Sequence, residues 1–119
     1  MNRTRLLAAV SVAALGTAMF ATSAGAATPK LSASVSDPLN ISLKLGTKKV
    51  TVLKAGTYTI VVRDTASDHN FRLKGPGVNK TTSIGGKGTF TWKVTLRKGT
   101  YTYVCDPHST VMKGTFKVS

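Results

Sequence analysis

Tyr103-Val104-Cys105-Asp106-Pro107-His108-Ser109-Thr110-Val111-Met112-Lys113-Gly114-Thr115-Phe116 is the stretch from which the rest of the chain can be read. It holds the only cysteine, one of two histidines and a methionine within eight residues. Alternation places a strand before Cys105 and another after Met112, so the three side chains share one tight loop between neighbouring strands. Soft thiolate and thioether donors select copper, and a His₂Cys set with a long axial Met is the donor pattern of an electron-transfer copper centre. The pattern lacks a second histidine, and the chain has one left, His69.

Outward from that loop the chain reads as short strands divided by Gly, Pro and Asp. Leu31 to Val35 and Ile41 to Leu45 alternate apolar and polar residues around an Asp37-Pro38 turn, and Val50 and Val52 repeat the alternation. Tyr58, Ile60 and Val62 share a face, as do His69, Phe71 and Leu73. Gly75-Pro76-Gly77 breaks the chain. Phe90, Trp92, Val94 and Leu96 mark the clearest strand, with Thr91, Lys93 and Thr95 on its other face. No window carries an apolar stripe at helical period. Short strands with regular turn signals predict an all-β Greek-key sandwich of about seven or eight strands.

An internal echo supports that architecture. Leu53-Lys54-Ala55-Gly56-Thr57-Tyr58-Thr59 returns nearly unchanged as Leu96-Arg97-Lys98-Gly99-Thr100-Tyr101-Thr102. Each copy sets Leu, Gly and Tyr at a corner entering a strand, where a tyrosine phenol bonds back to upstream backbone.

The amino terminus reads differently. Arg3 and Arg5 precede an apolar run from Leu6 to Phe20, and Ala24-Gly25-Ala26 offers a small-residue cleavage site. Residues 1–26 are therefore expected to be a secretory signal peptide, and the run is short for a membrane span. Residues 27–119 form one small domain, exported to the periplasm or beyond.

The formal charge is +13, and loss of Arg3 and Arg5 leaves +11. The only acids are Asp37, Asp64, Asp68 and Asp106. Such a charge favours encounters with acidic partners or anionic surfaces. An exported chain without an aromatic–basic stacking motif does not read as a nucleic-acid binder. A single cysteine cannot close an internal disulfide, and metal ligation gives it an occupation. Zinc also accepts Cys and His, but structural zinc takes four ligands of those types, whereas a thioether donor favours copper. No carboxylate pair, spare histidine or activated serine is left for catalysis, so no enzyme is expected.

With these residues placed, the chain resembles the small blue (type 1) copper proteins of the cupredoxin family, nearest the plastocyanin, pseudoazurin and amicyanin group. Asp68-His69-Asn70-Phe71 is similar to the family's first His-Asn, Gly99 to His108 to its Gly-x-Tyr-x-aromatic-x-Cys-x-Pro-His, and Met112-Lys113-Gly114 to its Met-x-Gly. The resemblance implies one copper ion held by His69, Cys105, His108 and Met112. It implies that the Asn70 side chain ties the His strand to the Cys loop while its backbone N–H points at the thiolate. Pro107, with no N–H to donate, should leave the sulfur short of a second hydrogen bond and raise the reduction potential. His108 should be the electron doorway, within an apolar collar of Val111, Pro107, Pro76 and Leu39. Three residues separate His108 from Met112, against two in amicyanin-like loops and four in plastocyanin-like ones. The function implied is single-electron carriage by a monomer that meets an acidic redox protein. The alternative is a module for copper storage, delivery or sensing.

Overall fold

The structure is a computed structural model and describes residues 27–119; the expected signal peptide at 1–26 lies outside them. Ten strands form two five-stranded sheets packed face to face. In chain order they are β1 (Lys30–Ser36), β2 (Asn40–Leu45), β3 (Lys48–Lys49), β4 (Val52–Leu53), β5 (Gly56–Asp64), β6 (Arg72–Gly75), β7 (Val78–Thr81), β8 (Gly88–Leu96), β9 (Gly99–Val104) and β10 (Lys113–Val118). One sheet runs β3-β2-β1-β5-β8 and the other β4-β10-β9-β6-β7. The two-residue strands β3 and β4 are the ones a periodicity argument has no length to detect. The remaining eight agree with the expected sandwich.

Each sheet contains one parallel pair, β1 with β5 and β4 with β10, among antiparallel neighbours. The core lies between the sheets and follows the period-two pattern. Leu31, Val35, Leu43, Ile60, Val62, Phe71, Leu73, Leu96, Tyr101, Tyr103 and Phe116 are all buried. Aromatic rings join the layers: Tyr103 stacks on Phe71 with centroids 5.7 Å apart, and Tyr101 on Phe116 at 5.3 Å.

The alternation fails at Val50 and Val52. Val50 is buried but Val52 is 61% exposed, and Leu53 takes the inward place. The chain bends at Thr51 as it leaves the first sheet at β3 for the second at β4, and a sheet change resets which face points inward.

Both tyrosine corners form. Tyr58 Oη donates to the Lys54 carbonyl at 2.6 Å, and Tyr101 Oη lies 2.8 Å from the Arg97 carbonyl while accepting the Arg97 N–H at 3.0 Å. The repeated sequence thus pins the start of β5 and the start of β9 in the same way. The second corner bears on the site directly, since β9 is the strand that ends in Cys105.

Candidate metal centre

The strands β6 and β9 run antiparallel with Leu73 opposite Tyr103 and Arg72 opposite Val104. Continuing that register sets Phe71 against Cys105 and brings His69, just upstream, over the end of β9. The Phe71–Tyr103 stack holds the two segments together one layer below. The β9–β10 hairpin then closes over eight residues, Cys105 to Met112. Its neck is tied by the Cys105 N–H donating to the Met112 carbonyl at 3.0 Å. Asp106–His108 form one turn of 3₁₀ helix, with the His108 N–H on the Cys105 carbonyl. The Met112 N–H reaches back to the His108 carbonyl at 2.8 Å. That i to i+4 bond spans three intervening residues, which gives the unusual His–Met spacing a structural use.

His69, Cys105 and His108 converge. Nδ1 of His69 lies 3.1 Å from Nδ1 of His108, and Cys105 Sγ is 3.7 and 3.6 Å from those two atoms. A triangle with these sides has its centre about 2.0 Å from every corner, the bond length from a first-row metal to an imidazole nitrogen. The tautomer of His69 fits the same reading. Its Nε2 faces the Pro38 carbonyl at 3.0 Å and Asp37 Oδ1 at 3.2 Å, both acceptors, so the proton sits there. Nδ1 is left with a bare lone pair aimed at His108 and the thiol. Two ring nitrogens this close share either a proton or a metal ion, and the thiol almost equidistant from both favours the metal. The residues present therefore fit a copper ion. Met112 is fully buried on the same loop and belongs to the same apolar cluster as Cys105.

Around this triangle a polar clamp fixes the loop. Asn70 Oδ1 accepts the Asp106 N–H at 2.7 Å, while its Nδ2 donates to Asp106 Oδ2 at 2.8 Å and to Thr81 Oγ1 at 3.0 Å. The side chain thus joins the His segment to the Cys loop as the resemblance implies. The polar neighbours of Cys105 Sγ are the two imidazole nitrogens. No bond from the Asn70 amide to the sulfur is found among the described residues. Arg72 completes the clamp, its Nε and Nη2 each 2.9 Å from the Asp106 carboxylate. The Arg72 guanidinium, aided by Asn70, holds the Asp106 carboxyl below its ordinary range against the opposing effect of burial. Neither Arg72 nor the Pro38 carbonyl is visible as a site residue in the sequence. The only trace of either is the Asp37-Pro38 turn, and a turn does not say which side chain its carbonyl will meet.

Burial separates the two histidines: His69 is 0% exposed, while His108 is part-exposed on the loop. Leu39 and Val111 are exposed at 47% and 61%, and Pro107 is exposed beside them. Pro76 does not join that collar. Its carbonyl lies 3.2 Å from Tyr101 Oη and its ring faces Gly99, at the opposite end of β9 from Cys105.

Comparison with known proteins agrees with this geometry. Residues 34–119 match the family model of copper binding proteins, plastocyanin/azurin family. Rusticyanin from Thiobacillus ferrooxidans is similar in structure, with a TM-score of 0.53, 22% identity and 76% of each chain covered. A glutamine-for-methionine mutant of rusticyanin gives 0.56 at the same identity and coverage. Auracyanin from the photosynthetic bacterium Roseiflexus castenholzii gives 0.53 at 22% identity, covering 78% of this chain and 98% of its own. No curated protein matches. These structures share the sandwich and say nothing further at such identity. The family match extends over nearly all of the described fold and settles the kind of metal: the protein is a member of the plastocyanin/azurin family of copper-binding proteins, a cupredoxin of the blue copper type.

Proposed function

We propose that this protein is exported and carries single electrons between redox partners, rather than catalysing a reaction. In this reading His69 Nδ1, Cys105 Sγ, His108 Nδ1 and the Met112 thioether would hold the copper. When bound, copper supplies a one-electron Cu(I)/Cu(II) couple with a soft thiolate donor. The chain supplies a frame that does not have to move. His69 is fixed by the Pro38 carbonyl, and the Cys loop by Asn70, Asp106 and Arg72. A rigid frame of this sort lowers the rearrangement that accompanies each change of charge. The observation that carries the reading is the closure of two nitrogens and one sulfur on a point within bonding distance of all three.

His108 is the doorway, because it alone of the two imidazoles reaches the surface. A monomer is sufficient, since the three converging groups come from one chain. The redox partner we infer is an acidic protein that covers Leu39, Pro107 and Val111 and meets the ammonium of exposed Lys113. Residues 1–26 direct export, and no helix among the described residues is long and apolar enough to cross a membrane.

Titrating the protein with copper separates the readings. A carrier turns intensely blue at one equivalent and shows a reversible midpoint, and Cys105→Ser abolishes the colour. Colourless binding of Cu(I) alone would assign the protein to copper storage or delivery and end the carrier reading.

A further inference from the structure

The four carboxylates gather at the histidine end of the sandwich. Asp37 and Asp68 face His69, Asp106 holds Asn70, and Asp64 closes β5 with its Oδ1 on the Ala66 N–H. Lys74, Lys87 and Lys113 lie at that end, but the densest group of lysines does not. Where the chain leaves one sheet for the other, Lys44 stands opposite Lys49 and Leu45 opposite Lys48, while Val52 stands opposite Lys117. All six side chains are exposed, Leu45 at 46% and Val52 at 61%. Leu45, Lys48, Lys49 and Val52 line a shallow groove, with Lys44 and Lys117 outside it.

This arrangement is costly for the fold alone. Like charges directly across a strand pair destabilise it, and none of the four carboxylates lies close enough to offset them. A lysine on an edge strand blunts unwanted pairing, but exposed aliphatic side chains between the lysines work against that purpose. An outside partner carrying dense negative charge above an apolar layer relieves both costs.

We propose that this edge docks on an anionic phospholipid bilayer, its ammonium groups meeting headgroup phosphates while Leu45 and Val52 sink among the headgroups. The aliphatic pair selects a bilayer over a soluble polyanion, which has no apolar layer to receive them. Thr100, opposite Lys117, lies five residues along β9 from Cys105, roughly 17 Å at about 3.3 Å per residue. The docked molecule therefore keeps its histidine end in water. This surface is independent of copper and of the redox reading.

The test is co-sedimentation of the chain from Ala27 onward, which contains every core residue, with vesicles of phosphatidylglycerol and phosphatidylcholine or of phosphatidylcholine alone. Binding is expected to the first and not the second, and to weaken with salt. At about fivefold per lysine, Lys44→Gln, Lys48→Gln, Lys49→Gln and Lys117→Gln together should weaken it by about a hundredfold or more. Lys87→Gln with Lys113→Gln, at the histidine end, should leave it nearly intact. Indole emission should move to the blue on vesicles in Val52→Trp beyond any change in the parent chain. The proposal is overturned by absence of binding to the anionic vesicles, or by equal loss in the two lysine sets, which would mean diffuse charge. An unshifted Val52→Trp signal with equal affinity for soluble polyphosphate would assign the patch to a polyanion instead. Self-association of the four-lysine variant, with vesicle binding kept, would make the lysines edge guards and also overturn it.

Discussion

Pro107 is the residue at which sequence and chemistry make the narrowest claim. It sits at the start of the 3₁₀ turn between the thiol and His108, exposed, with no N–H to offer the sulfur. The Sγ has the two imidazole nitrogens as its polar neighbours, so a new donor would act on a sulfur that has few. Pro107→Ala restores an amide there. A hydrogen bond to a charged acceptor is worth about 1.5–3 kcal/mol. A donor favours the state with more negative charge on sulfur, which is Cu(I). The proline therefore lowers the potential rather than raising it as the sequence reading expected. At 59 mV per tenfold change for one electron, Pro107→Ala should raise the midpoint by up to roughly 60 mV in voltammetry of the copper-loaded protein. A midpoint that stays or falls would show that the proline is there for its φ alone.

Among the elements, the two tyrosine corners permit a comparison within one molecule. Tyr58 Oη has one backbone partner, the Lys54 carbonyl. Tyr101 Oη has the Arg97 carbonyl and also receives the Arg97 N–H. Tyr101→Phe strands a part-buried donor as well as an acceptor, which costs about 1–3 kcal/mol, whereas Tyr58→Phe should lose about 1 kcal/mol. Urea denaturation should rank them in that order; equal losses would mean that the corners work through packing alone. These corners were legible because the same Leu-Gly-Tyr spacing occurs twice, and the metal loop because its donors fall at spacings few folds would use. The handover from β3 to β4 was not legible. A two-residue strand carries no periodicity, and the bend at Thr51 reverses the face on which Val52 is read. Nor could the chain show that Pro76 lies beyond reach of His108, since that depends on the β6–β9 register rather than on any local signal.

For the whole molecule, net charge and its placement argue different things. A charge of +13 over the full chain points to an acidic partner, yet all four carboxylates stand near the imidazoles and the densest lysines stand away from them. Lys113, one residue from Met112, is left as the cation best placed to steer a redox partner to His108. With an acidic redox protein, the second-order electron-transfer rate followed by stopped flow should drop as salt rises, because the screening length contracts from about 30 Å at 0.01 M to about 8 Å at 0.15 M. Lys113→Gln should lower the low-salt rate a few-fold. A rate indifferent to salt would remove the acidic partner from the account. The unequal exposure of the two imidazoles has a last consequence. With His69 sealed, the part-exposed rim of His108 is, in the proposed carrier, the way in for ions as well as for electrons. A partner seated there to collect a charge would also cover the metal, so the carrier reading has copper loaded while the molecule is solitary and held while the partner is docked.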